Sequence, residues 1–145
     1  MSNDILNILG VAVAPGKSAT VTFEVAKLHT RNTLDVPIII ERSKKPGPTV
    51  LMTAGIHGDE INGVEIVRQI IAKGINKPKT GTIICIPVIN VFGFLNMDRL
   101  FPDGRDLNRV FPGAAKGSLA SRVAHFVMKE IVPHVDFIMD FHTGG

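Results

Sequence analysis

Apolar residues in the first half of the chain form short runs separated by polar turns, a pattern typical of strands. Residues 19–28 are β-rich and partly alternating, and residues 36–42 form a second, β-branched run. We predict that they pair antiparallel, with Pro37 at an edge position or a strand start, because proline has no N–H for the ladder. Residues 49–54 and 82–89 are almost continuously apolar, which indicates buried strands.

Two later stretches have helical spacing. Apolar residues recur every three or four positions over residues 59–73, and Gly74 follows them. Ser118 is predicted to cap a second helix, which Pro133 ends, and residues 135–141 then form a further strand. This alternation predicts an α/β fold with a mainly parallel or mixed sheet and flanking helices.

The stretch between these elements, residues 90–117, shows no sustained periodicity. It contains glycines, prolines and several arginines, and an irregular segment of this length inside a compact domain is usually functional. Ligands of α/β sheets collect outside the carboxyl ends of the strands. The segments that follow Ala54 and Phe141 are therefore the first places to look for a site.

Composition excludes several classes of protein. The 145 residues suffice for one domain, and the 45% of hydrophobic residues exclude disorder over the whole chain. The single cysteine excludes a disulfide framework. The net charge of +3 is spread along the chain and there is no Trp or Tyr, so we expect no nucleic-acid partner. No apolar stretch is long enough to span a bilayer and the N-terminus has no basic region, so we expect a cytoplasmic protein without a membrane partner.

Three potential metal ligands follow the predicted strands. His57 and Glu60 stand at a strand-to-helix junction, and His142 follows the last strand. Imidazole and carboxylate suit Zn²⁺, and a catalytic zinc keeps three protein ligands and one open position. Asp140 would be an outer carboxylate that orients one of these metal ligands. The alternatives are an ordinary strand–helix turn and a polar strand end.

The irregular segment adds a cluster of cationic and amide side chains, Arg99, Arg105, Asn108 and Arg109. Guanidinium groups bind carboxylates bidentately and keep their charge, so they can anchor an acidic substrate. They can also polarise a carbonyl whose oxygen becomes negative. The alternative is solvated surface charge, but the length of the segment and its place beside the predicted sheet edge favour a functional role.

Three sequence blocks together resemble a known family. His-Gly-Asp-Glu at 57–60 with Asn-Gly at 62–63, Asp-Leu-Asn-Arg-Val-Phe-Pro-Gly at 106–113 and Asp-Phe-His-Thr-Gly-Gly at 140–145 are similar to motifs of the succinylglutamate desuccinylase/aspartoacylase family, a branch of the zinc carboxypeptidase-like (M14) hydrolases. The resemblance implies a zinc carboxypeptidase-like fold, truncated at its C-terminus. Residues 1–45 would be a β-rich lead-in and residues 46–145 an incomplete zinc hydrolase domain.

The resemblance also implies a role for each matching residue. One zinc ion per chain would be bound by His57, Glu60 and His142. Asn108 and Arg109 match a substrate-binding pair. Arg99 is the best match for the arginine that polarises the carbonyl; Arg105 is the competing candidate and otherwise a substrate-binding residue.

The implied activity is zinc-dependent deacylation, in which the amide bond of a small N-acyl amino acid is hydrolysed. The family's general-base glutamate comes from a later part of the chain and has no match here, so this chain is expected to lack it. Two alternatives stay open: a metallocarboxypeptidase that acts on peptides, or a non-catalytic zinc-binding fragment if the chain is complete at 145 residues. The sequence leaves the oligomeric state and the acyl group undetermined.

Overall fold

A mixed five-stranded sheet forms the centre of the protein, of which the computed structural model describes residues 5–144. In chain order the strands are β1 (Leu6–Ile8), β2 (Val11–Val13), β3 (Ser18–Lys27), β4 (Thr33–Arg42), β5 (Thr49–Ala54), β6 (Thr82–Ile86) and β7 (Phe137–Phe141). Strands β1 and β2 form a separate hairpin, and the sheet order is β3-β4-β6-β5-β7. Strand β6 pairs antiparallel with β4 and parallel with β5, which also runs parallel to β7. The prediction of a mixed α/β fold is confirmed.

Strands β3 and β4 form the predicted antiparallel pair. Alternate residues of β4, such as Val36, Ile38 and Ile40, are buried, because successive side chains of a strand point to opposite faces. Strand β4 is an inner strand, so the prediction that Pro37 marks an edge is wrong for the strand as a whole. It holds locally, since β6 pairs with β4 only over residues 39–42 and Pro37 faces β3 alone.

Helices flank the sheet, and the first and the last of them lie where periodicity predicts them. They are α1 (Ile61–Ala72), α2 (Val91–Asn96) and α3 (Leu119–Phe126), and α3 continues through a π turn (Val127–Ile131) and a 3₁₀ turn (Val132–His134). The Ser118 hydroxyl accepts a hydrogen bond from the Ser121 N–H at 3.3 Å and caps α3, as predicted. No helix within residues 5–144 is long and apolar enough to cross a membrane.

The structure differs from the sequence prediction in its shortest elements. Helix α2 and a 3₁₀ turn (Leu107–Arg109) lie in the segment predicted to be irregular, and the β1–β2 hairpin was not predicted. Elements of three to six residues are too short to show a period. Strand β6 ends at Ile86 rather than at residue 89, directly before Pro87, which has no N–H to donate.

The packing of α1 against β7 brings distant parts of the chain together. Strands β5 and β7 are parallel neighbours, so Ala54 and Phe141 lie side by side at the carboxyl ends of these two strands. A Cβ on Gly63 of α1 would lie 2.6 Å from the carbonyl oxygen of Phe141. The helix therefore contacts the end of β7 with its backbone, and the residues that follow both strands meet at the start of α1.

Candidate metal centre and active site

Two imidazoles and one carboxylate meet beyond the carboxyl ends of β5 and β7. His57 and Glu60, from the turn between β5 and α1, are only 2% and 4% exposed. The His142 side chain, which follows β7, is 34% exposed. One potential ligand atom of each residue lies within 4.8 Å of those of the other two. The structure thus gathers the three side chains that the sequence singled out.

Both imidazoles turn the same ring nitrogen towards Glu60. The Nδ1 atom of His57 lies 2.7 Å from Oε1 of Glu60, and the Nδ1 atom of His142 lies 3.0 Å from Oε2. Each Nε2 atom faces another carboxylate, at 3.0 Å from Asp106 Oδ1 for His57 and at 2.6 Å from Asp140 Oδ2 for His142. Because an ionised carboxylate only accepts hydrogen bonds, a hydrogen on each Nε2 atom satisfies these two outer contacts.

This arrangement fits a metal ion. A neutral imidazole with its hydrogen on Nε2 presents a lone pair at Nδ1, and two such lone pairs here face a carboxylate that also only accepts. The electrostatic conflict is relieved by one cation shared among the three groups or by a further proton on each ring. Two imidazole nitrogens and one carboxylate are a donor set that zinc binds, and outer carboxylates that hold the far ring nitrogen are typical of such sites.

Glu60 is held in its ionised form. Burial raises its pKa, but the hydrogen bond from the Thr143 N–H at 2.9 Å and the contacts with His57 and His142 outweigh burial, so that the pKa lies below its usual value. The carboxylate is therefore available as an anionic ligand near neutral pH.

Asp106 connects the buried imidazole to the arginine segment. Its Oδ1 atom accepts from the Asn108 N–H at 3.0 Å as well as from His57, and its Oδ2 atom accepts from Nε and Nη2 of Arg99 at 3.2 and 3.0 Å. Burial raises the pKa of Asp106, but the hydrogen bonds from His57, Arg99 and the Asn108 N–H lower it below its ordinary value. The sequence analysis named Asp106 only as part of a motif. The signal that could have singled it out is its position two residues before Asn108.

The four predicted substrate-side residues do not lie equally close to this centre. Arg99 reaches it, with Nη1 3.6 Å from Glu60 Oε1. Arg109 is exposed, with Nε 3.8 Å from Asp106 Oδ2. Asn108 contributes its backbone N–H, and its side chain is exposed to solvent. Arg105 is exposed, and within the described part of the chain its side chain forms no hydrogen bond or ion pair with the site residues.

Asn90, which the sequence analysis missed, anchors the segment that carries Arg99. It is fully buried, and its side-chain N–H₂ donates to the carbonyl oxygens of Arg99 and Leu100 at 3.3 Å each. Its side-chain oxygen accepts from the Gly93 N–H at 2.8 Å and caps α2. Its own backbone N–H donates to Gly55 at 2.8 Å. The signal in the sequence was one polar residue directly after an apolar run.

Comparison with known proteins places this geometry in a family. Residues 46–145 match the succinylglutamate desuccinylase/aspartoacylase catalytic domain. The chain belongs to this family. Over 111 residues it is 32% identical to the N-alpha-acetyl-L-2,4-diaminobutyric acid deacetylase of Halomonas elongata, an alignment that covers 76% of this chain and 32% of the deacetylase.

Solved structures support the same family and fold. The crystal structure of an aspartoacylase family protein from Mesorhizobium loti is 34% identical, with a TM-score of 0.77 over 89% of this chain and 41% of that one. A metallocarboxypeptidase from Burkholderia cenocepacia, at 16% identity, shares the fold, with a TM-score of 0.67 over 88% of this chain and 36% of that one. This member of the family thus spans about a third of the length of the deacetylase and about two fifths of that of the Mesorhizobium protein.

Proposed function

We propose that this chain is part of a zinc-dependent deacylase that hydrolyses the amide bond of an N-acyl amino acid. The observation that carries the proposal is the convergence of His57 Nδ1, His142 Nδ1 and the Glu60 carboxylate on one point, with both Nε2 atoms held by outer carboxylates. Membership of the family supports the reaction class. Within the chain, residues 1–45 would be the β-rich lead-in and residues 46–145 the part of the catalytic domain that is present.

His57, Glu60 and His142 would hold the zinc ion. When bound, the metal supplies Lewis acidity, which activates water and polarises a carbonyl group. Asp106 and Asp140 keep the hydrogen of each imidazole on Nε2, so that both Nδ1 atoms are available. The residues of this chain thus fix the orientation of the ligands before a substrate arrives.

Arg99 is assigned to the substrate carbonyl. Its guanidinium lies beside Glu60 and is held by Asp106, and it keeps N–H groups that can donate to an oxygen as this becomes negative. Arg109 and the side chain of Asn108 are exposed to solvent and would bind the carboxylate of the amino acid, and Arg105 would assist from the same segment. Pre-placed cations near the metal select an anionic substrate.

Proton transfer from the attacking water to the leaving amine needs a group that accepts the proton as a general base and then donates it as an acid, and we propose that this group is not among these residues. Apart from Glu60, no glutamate of residues 5–144 contacts the site: Glu41, Glu65 and Glu130 bond to Ser18, Arg68 and Lys129 respectively, and Glu24 bonds to none of the site residues. General acid–base catalysis contributes about 10²–10⁴-fold. We therefore expect the 145-residue chain to bind zinc and to hydrolyse its substrate slowly.

Zinc titration of the 145-residue chain tests the metal assignment. We expect about one zinc per chain for the wild type and for the control His134→Ala, whose exposed imidazole lies in the 3₁₀ turn before β7. His57→Ala should lose stoichiometric binding. Stoichiometric zinc in His57→Ala would contradict the assignment.

A substrate panel tests the reaction. N-acyl amino acids with acetyl and succinyl groups should be hydrolysed, and Arg99→Ala should lower kcat/KM by about 10²-fold or more, because a donor to the developing oxyanion is lost. Release of C-terminal residues from peptides, without hydrolysis of N-acyl amino acids, would replace the deacylase by a carboxypeptidase.

A further inference from the structure

Asp140, which contacts His142, is itself held by a second residue. Its Oδ2 atom lies 2.6 Å from His142 Nε2, and its Oδ1 atom accepts a hydrogen bond from the Thr53 hydroxyl at 2.8 Å. Thr53 lies on β5 and Asp140 on β7, and the two are direct partners in the parallel ladder. The sheet register therefore sets the spacing between hydroxyl and carboxylate.

The hydroxyl of Thr53 is well placed to fix the carboxylate. Thr53 is 3% exposed, and a buried hydroxyl has a single hydrogen to donate, which here goes to Asp140. The β-branched side chain also has restricted rotation about its first torsion. The Asp140 side chain is 25% exposed, and the terminal torsion of an aspartate is broad. Without the hydroxyl, the carboxylate would be free to turn towards solvent.

We infer that Thr53 is a positioning residue for His142 and acts on it through Asp140. The inference rests on the proposed function, because it gives His142 the role of a metal ligand. With Oδ1 of Asp140 engaged by Thr53, Oδ2 faces the ring and keeps the hydrogen on Nε2, so that Nδ1 stays turned towards Glu60.

The imidazole of His57 is held in a comparable way, by a carboxylate that has fixed partners. Behind His57, Asp106 is fixed by the Arg99 guanidinium and the Asn108 N–H. Behind His142, within residues 5–144, Thr53 is the residue that contacts the Asp140 carboxylate on its other oxygen. Each imidazole is thus oriented by a carboxylate that has a fixed partner of its own.

Zinc affinity of the 145-residue chain, measured by competition with a chromophoric chelator, tests the inference. Thr53→Val keeps the shape and removes the hydroxyl, and should weaken binding by about tenfold, the lower end of the range for outer partners of metal ligands. Thr53→Ser should restore the affinity. The control Thr82→Val alters another buried strand threonine, at the opposite end of the sheet, and should leave it unchanged.

A double-mutant cycle separates positioning from a general effect on the strand. In an Asp140→Ala background Thr53→Val should change zinc affinity no further, because the hydroxyl acts only through that carboxylate. Equal effects of Thr53→Val in the two backgrounds would overturn the inference.

Nitrogen-15 NMR of the histidine rings supplies a readout that needs no metal. In the metal-free wild type, neutral His142 should carry its hydrogen on Nε2, and Thr53→Val should mix the two tautomers. If the wild type binds no zinc but the tautomer shift occurs, the proposed function fails and the positioning role stands. If zinc binds, and Thr53→Val changes neither the affinity nor the tautomer, the positioning role is refuted and the proposed function stands.

Discussion

The two halves of the candidate centre differ in how they are built. His57 and Glu60 lie in the turn whose Gly58 contacts α2 and are almost fully buried, whereas His142 follows an edge strand and is one-third exposed. Phe137, Ile138 and Met139 of that strand are exposed as well. The buried half is fixed by packing as well as by hydrogen bonds, and the exposed half is oriented mainly by the hydrogen bonds of Asp140 and Thr143. One site thus combines a buried, well-packed half with an exposed half whose orientation depends on individual polar contacts.

Adding one methyl group should disrupt the buried half most. A Cβ on Gly58 would lie 1.9 Å from the carbonyl carbon of Gly93, so that the backbone of α2 would have to move. We expect Gly58→Ala to destabilise the protein by about 3 kcal/mol or more, as measured by urea unfolding. On the exposed half, Gly144→Ala has open space and is the control, with no expected change. Equal stability of the two variants would contradict the conclusion that the buried half is the more tightly packed.

Removing each imidazole from metal-free protein compares the halves directly. His57→Ala removes one hydrogen-bond partner from each of the largely buried carboxylates of Glu60 and Asp106, which should cost about 2 kcal/mol. His142→Ala exposes its partners to water and should cost well under half of that. Urea unfolding in the presence of a chelator measures both. A larger loss for His142→Ala would show that the exposed half carries the stability.

The exposed edge should make the chain associate with itself. Unpaired backbone groups and apolar side chains on an edge strand favour pairing between molecules, and a lysine on such a strand opposes it. We expect sedimentation at increasing concentration to show association of the wild type and less of it for Met139→Lys. Ile66→Lys, on the exposed face of α1, is the control and should behave as the wild type. Identical sedimentation of wild type and Met139→Lys would argue against this edge as the contact.

The smallest effect is expected at an exposed carboxylate of α1. Hydrogen bonds from Arg68 and Gln69 lower the pKa of Glu65 from 4.5 to about 2. Because the folded-state pKa is lowered, the pair stabilises the protein above about pH 4.5, and this contribution is lost as the pH falls towards 2. Solvent screening keeps the contribution small. NMR titration should show the pKa of Glu65 return towards 4.5 in Arg68→Gln; an unchanged value would exclude the ion pair as its cause.

The sequence predicted those parts of the fold that have a period or a cap. Helix α1, the Ser118 cap and strand β5 follow from spacing and local chemistry, and the rule on strand ends indicated that His57, Glu60 and His142 would meet. Helix α2 and the β1–β2 hairpin could not be predicted, since three to six residues define no period.

The residues that support the site were harder to predict than those that line it. In the sequence, Thr53 is simply one threonine in an apolar strand. Its role is visible only in the structure, where the register pairs it with Asp140, 87 positions later. Arg99 and Arg105 remained competing candidates because both lie in one irregular segment; the structure places Arg99 beside Glu60. Such roles arise from contacts between distant segments, which spacing along the chain does not encode.

The contact between Gly58 and Gly93 has a consequence for second-site suppression. Two main chains touch there, and neither residue has a side chain that a compensating mutation could shorten. In a selection for revertants of Gly58→Ala, we therefore expect few compensating side-chain changes, and the suppressors should instead alter the length or path of the segment between β6 and α2. Tolerance at this position is limited by the course of the backbone rather than by the choice of neighbouring amino acids.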